Sequence, residues 1–131
     1  MRQEEAEKEG EFEPVVSVIV PVLNGEATIE SLLKSLSEID YPKEKIEFVI
    51  VDGNSMDKTR DIVAKYPAKL LIEKRGGPNA ARNTGIKHTS GEIIAFTDSD
   101  CIVPKNWISK IAENFKDPKI GCVGGNVKRL D

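Results

Sequence analysis

Short apolar runs alternate along this chain with segments in which apolar residues return every three or four positions. The run VVSVIVPV (residues 15–22) is β-branched and almost continuous, the pattern of a strand covered on both faces. After it, Ala27, Ile29, Leu32, Leu33 and Leu36 fall at helical spacing, while Glu30, Lys34 and Ser37 take the opposite side. IDYPKEK turns the chain into IEFVIVD (residues 46–52), a second strand. SMDKTRDIVAKY predicts a helix capped by Ser55 or Asp57, with Ile62 and Val63 facing inward. KLLIEK (residues 69–74) reads as a third, shorter strand, and Pro78 then opens a short helix through NAARNTGIKH. GEIIAFTD is a fourth strand, and KNWISKIAENF a helix with Trp107, Ile108, Ile111 and Phe115 on one face. IGCVGGNVKRL (residues 120–130) begins as a strand. Strands and helices alternating at this spacing predict βαβ units, hence an α/β fold with a mostly parallel sheet and helices on both faces.

The first thirteen residues break the pattern. They carry six acidic and two basic side chains and almost nothing apolar, so residues 1–13 are expected to form a frayed acidic tail and residues 14–131 the domain. With 39% hydrophobic and 31% charged residues in 131, one globular domain with a real core is expected. A net charge of −3 gives no reason to expect nucleic acid or an anionic membrane as the main partner. No apolar run is long enough to cross a bilayer, and the acidic start is not a signal peptide. These features predict a cytoplasmic chain, or one facing the cytoplasm. Cys101 and Cys122 form no CxxC pair, and His88 is the only histidine, so two reduced thiols are expected and no zinc set. The sequence stops soon after its last strand-like run, and a C-terminally truncated fold is expected.

The chemistry is expected where the strands end. In open parallel sheets ligands bind outside the C-terminal ends of the strands. The segments that follow the four strands are PVLNGEA, DGNSMDKT, KRGGPNAARN and TDSD, all rich in Asp, Asn, Gly or Arg. A dinucleotide site would need GxGxxG after the first strand, and PVLNGEA lacks it; Asp52 alone does not restore that reading. In TDSD, Asp98 and Asp100 offer hard oxygen ligands suited to Mg²⁺ or Mn²⁺, with water and phosphate completing the shell. In RGGPNAARN, Gly76 and Gly77 allow close backbone approach, and Pro78 begins a helix whose N-terminus favours an anion. Arg75 or Arg82 is positioned to pair with phosphate. His88 fits a surface position at a helix end, and Trp107 fits core packing better than sugar stacking.

The four segments, in this order and spacing, resemble the family 2 inverting glycosyltransferases of the Rossmann-like GT-A fold. The resemblance runs from about Val16 to Gly125. It implies a hexosyltransferase-type enzyme whose donor is a nucleotide-diphosphate sugar, UDP-sugar favoured, with Mn²⁺ or Mg²⁺ as cofactor. Pro21, Val22 and Asn24 would line the nucleobase pocket, and Asp52 would bind the base or ribose. Arg82 and Asn83 would shape the helix beside the donor, with Gly77 at its start. Asp98 would touch ribose or metal, and Asp100 would coordinate the metal. Leu23 stands where many members have Tyr, and Gly25 where many have Glu, which leaves the choice of base open. The family's general base is an Asp or Glu in an acceptor-side segment well after the DxD. Glu113, Asp117 and Asp131 do not sit in a matching context. The chain is therefore expected to be the donor-binding half, with weak or no activity alone, an unknown acceptor and a tendency to dimerise. Two other readings stay open: a sugar nucleotidyltransferase, which would want a GxGxR-like loop after the first strand, and a non-catalytic nucleotide-binding domain.

Overall fold

The computed structural model describes residues 12–117, 119 and 121, and the backbone of 128 and 129. The expectations for most of the acidic tail, for Cys122, for Asp131 and for a strand opening at residue 120 lie outside the described residues.

The chain runs β1 (Val16–Val22), α1 (Ile29–Ser37), a 3-10 turn (Lys43–Lys45), β2 (Ile46–Asp52), α2 (Thr59–Val63), β3 (Lys69–Ile72), α3 (Pro78–Lys87), β4 (Ile93–Phe96), β5 (Cys101–Ile102), α4 (Trp107–Asn114) and β6 (Lys128–Arg129). The first four strands form one parallel sheet in the order β3-β2-β1-β4. β5 and β6 pair antiparallel, so Lys128 and Arg129 join a two-stranded ribbon; a solvated end is the plain reading of such a basic pair in the sequence. An isolated basic pair carries no period from which such pairing can be read.

β1 is central and buried throughout, which is why its run is apolar without alternation. Val16, Val18, Val20 and Val22 point to one face, where they meet Ile29, Leu32, Leu33 and Leu36 of α1, Val63 of α2, and Trp107, Ile108 and Ala112 of α4. Ile19, Val49 and Val51 point to the other, under Ala81 of α3, with Leu71 and Ile94 at the margin. Helices thus cover both faces, three on one and α3 on the other. Gly85 lets α3 lie close: a Cβ there would stand 2.6 Å from Ile19 Cγ2. Pro21 sits inside a central strand, normally a poor place for proline. Ile19 accepts a bond from Thr97 N on the β4 side, while Val22 accepts from Gly53 N on the β2 side. By alternation Pro21's missing N–H faces β4, whose pairing has already ended at Ile19.

The strand order places the site. The chain steps from β1 to β2 to β3 in one direction, then returns across to lay β4 on the other side of β1. The loops after β1 and β4 therefore diverge and open a crevice at the C-terminal edge.

Candidate functional site

Loops after β1 and β2 are stitched together by side chains. Asp52, the last residue of β2, is buried, and its Oδ2 accepts from the backbone N–H of Asn54 (3.0 Å) and Ser55 (2.8 Å). Its Oδ1 accepts from Ser55 Oγ at 2.5 Å, and Arg60 Nε lies 3.9 Å from Oδ2. Ser55 Oγ in turn accepts from Asn24 N (2.8 Å), and Asn24 Oδ1 accepts from Met56 N (2.9 Å). Asn24 adopts a left-handed φ of 50°, which its short amide side chain tolerates. Gly25 N donates to Thr59 Oγ1 (2.9 Å). Asp57 accepts from Glu26 N (3.1 Å), from Thr59 N (2.9 Å) and from the Thr59 hydroxyl. These bonds, the Thr59 hydroxyl first, hold its carboxyl below the usual range. Neither predicted cap stands at the N-cap of α2, which falls at Lys58 with no side-chain cap bond; Asp57, one position earlier, accepts the Thr59 N–H at the helix start, and Ser55 is occupied by Asp52.

The third loop supplies a glycine lip and a helix start. Gly76 and Gly77 have φ of 87° and 86°, a region side chains rarely adopt, and Pro78 opens α3. One turn in, Arg82 Nη2 lies 3.3 Å from Asp98 Oδ1, and Nη1 lies 3.2 Å from Asn79 Oδ1. Arg75 turns away: its guanidinium grips the buried Glu73 with Nε and Nη2, each at 2.8 Å. That grip, followed by a bond from Thr84, holds the Glu73 carboxyl far below its usual range.

After β4 the two acids converge. Asp98 and Asp100 offer carboxylate oxygens that, with Cys101 Sγ, all lie within 4.8 Å of one another. The thiol is 3.8 Å from Asp100 Oδ1. Between these loops lies a cleft of about 380 Å³. Pro21, Val22 and Leu23 form one wall, Gly76 to Pro78 with Ala81 and Arg82 a second, and Asp98 and Ser99 the end. It is large enough for a nucleotide, and its lining includes the Arg82 guanidinium paired with the Asp98 carboxylate.

The model of Glycosyl transferase family 2 matches residues 17–131. The chain belongs to glycosyl transferase family 2. A relative in Haloferax volcanii, Glycosyltransferase AglE, is 38% identical over 121 residues, covering 88% of this chain and 40% of AglE. The poly(ribitol-phosphate) beta-N-acetylglucosaminyltransferase TarS of Staphylococcus aureus is 41% identical over 102 residues, covering 73% of this chain and 18% of TarS. Among solved structures, the mannosyltransferase PcManGT of Pyrobaculum calidifontis, in complex with GDP-Man and Mn²⁺, superposes with a TM-score of 0.76 at 34% identity. That match covers 87% of this chain and 36% of PcManGT. S. aureus TarS in complex with UDP-GlcNAc gives a TM-score of 0.72 at 34% identity, covering 86% of this chain and 37% of that one. This chain therefore spans less than half the length of these family 2 relatives.

Within this family 2 domain, the residues singled out from sequence divide in two. Pro21, Val22, Gly77, Arg82 and Asp98 line the cleft. Asp100 stands beside Asp98 in the acidic cluster. Asn24 and Asp52 are not among the cleft-lining residues; the Asn24 N–H and Oδ1 and both Asp52 carboxylate oxygens tie the two loops. Asn83 is exposed on α3 and does not line the cleft. Sequence reasoning passed over Ser99, which lines the cleft as the middle residue of the acidic triplet. It also passed over Glu73, whose one sequence signal is an acid two positions before an arginine at a glycine pair.

Proposed function

We propose that this chain binds the nucleotide-diphosphate sugar and holds its diphosphate for transfer of the sugar, with inversion, to an acceptor hydroxyl. The observation that carries the reading is the convergence on one cleft of the glycine lip, Arg82 and the Asp98–Asp100 pair. Relatives complexed with UDP-GlcNAc and with GDP-Man and Mn²⁺ support it.

The parts have distinct tasks. Pro21, Val22 and Leu23 offer apolar surface to the nucleoside, and UDP is the favoured one. Asn24 and Asp52 fix the loop carrying that wall. Free N–H groups at the start of α3 and the Arg82 guanidinium face the diphosphate from one side. Two carboxylates with oxygens this close suit a small divalent cation, so Asp98 and Asp100 would hold Mn²⁺ or Mg²⁺. Such an ion supplies positive charge to the diphosphate as it leaves. Transfer with inversion then requires the acceptor oxygen to bond the anomeric carbon from the face opposite the diphosphate, whose bond breaks. The acceptor's proton must go to a base. We place that base outside these residues, in an acceptor-side segment.

Calorimetric titration of UDP into the protein, with and without Mn²⁺ and repeated with Asp100→Ala, tests the reading. The expected outcome is Mn²⁺-dependent binding that Asp100→Ala abolishes. If UDP, GDP and dTDP all fail to bind, or bind equally well without metal, the donor-site reading fails.

A further inference from the structure

Glu73 has no place among the cleft-lining groups, yet it is a carboxylate with only 6% of its surface exposed. It follows β3 directly, and its N–H donates to Asp52 O at 2.8 Å, so its backbone is fixed to the sheet. Its side chain accepts four hydrogen bonds. Oε1 takes Arg75 N (2.9 Å) and Arg75 Nε (2.8 Å); Oε2 takes Arg75 Nη2 (2.8 Å) and Thr84 Oγ1 (2.5 Å). One carboxylate therefore ties three pieces together: the end of the sheet, the start of the glycine loop and the second turn of α3.

The loop needs such a tie. Only Gly76 and Gly77 separate Arg75 from Pro78, and a Cβ on either glycine would meet nothing within 4 Å. A side chain there would meet open space among the described residues, and glycine is the residue whose backbone loses most freedom when ordered. Yet Gly76, Gly77 and Pro78 form one wall of the cleft. Their position is set from both ends, by the Arg75 backbone N–H on Glu73 and by α3 held through Thr84 to the same carboxylate.

We propose that Glu73 is a positioning residue: its buried carboxylate clasps Arg75 and Thr84 and thereby fixes the glycine lip against which the donor's diphosphate lies. The clasp spares the ligand the cost of ordering that lip. Arg75 serves the clasp and leaves the cleft to Arg82. The assignment to the diphosphate rests on the donor-site reading above, whereas the clasp itself is a property of the loop.

The test uses the whole chain with Thr84→Val, Thr84→Ser and Glu73→Gln, and UDP with Mn²⁺ as probe. Thr84 lies outside the cleft lining, and valine removes its hydroxyl at nearly constant shape. Thr84→Val is expected to raise the Kd for UDP about tenfold and to speed hydrogen exchange at the Arg75 amide. Thr84→Ser, which keeps the hydroxyl, restores both. Glu73→Gln, where it folds, exceeds Thr84→Val in both effects. Unchanged UDP affinity in Thr84→Val, or a loss that Thr84→Ser fails to rescue, overturns the proposal. If the parent chain binds no UDP, the donor reading is what fails. Faster exchange at the Arg75 amide in Thr84→Val then still supports the clasp, and unchanged exchange overturns it.

Discussion

Gly85 and Ile19 meet where α3 crosses β1, and the contact leaves no space for a methyl group. A Cβ at Gly85 would stand 2.6 Å from Ile19 Cγ2 and 3.1 Å from Cδ1, both on a fully buried side chain in a central strand. Gly85→Ala is expected to destabilise the fold by about 1–3 kcal/mol despite alanine's better helix propensity, because the core must yield. Urea denaturation of the variant beside the parent chain checks it. Glu73 makes a second prediction at this scale. Its folded pKa is depressed from the usual 4.5, first by the Arg75 side chain and then by Thr84. A depressed carboxylate contributes stability that is fully present above the unfolded pKa and is lost as pH falls below it. Stability should therefore decline from about pH 5 downward, and Glu73→Gln should lower stability at neutral pH while flattening that decline. Urea midpoints measured from pH 7 to pH 3 read both effects; a variant with the parent's full acid slope would contradict them.

At the scale of elements, the cleft depends on loops that hold one another. Ser55 is the hinge of that arrangement, donating to Asp52 Oδ1 and accepting from Asn24 N. Ser55→Ala would leave both groups short of a partner, one of them a carboxylate with no exposed surface. A cost of about 1–3 kcal/mol is expected, with faster hydrogen exchange at the Asn24 and Met56 amides. Exchange mapped by mass spectrometry tests this, and protection unchanged in the loop at residues 23–26 would refute it. The same elements show what periodicity conveys. α1 and α4 were legible because Leu32, Leu33 and Leu36, and Trp107 and Ile108, fall on one face and are buried there. α2 came out shorter than its segment, Thr59–Val63, because residues 53–58 are spent on the bonds that bind the two loops.

Across the whole molecule, the parallel sheet brings the four strand ends to one edge, and the proposed donor site lies there. The chain spans 40% of AglE, and the proposed function places the base in an acceptor-side segment. Purified protein supplied with UDP-sugars, Mn²⁺ and simple acceptors is expected to transfer no sugar above background. Product detected by mass spectrometry would place the base among these residues after all. The sequence alone determined the alternation of strands and helices, because side chains buried on two sheet faces or one helix face leave a periodic record. It also determined the chemistry at the strand ends, because polar groups at those positions cannot serve the core. Tertiary structure alone decided which of those groups line the cleft. Asp52 and Asp98 each follow a strand, but Asp52 turns into its own loop while Asp98 opens on the cleft. Arg75 and Arg82 are equally basic, yet Glu73, buried by the return of α3 across the sheet, takes the first and leaves the second beside Asp98. Those choices rest on hydrogen-bond partners brought together from segments far apart in sequence, which no local pattern encodes.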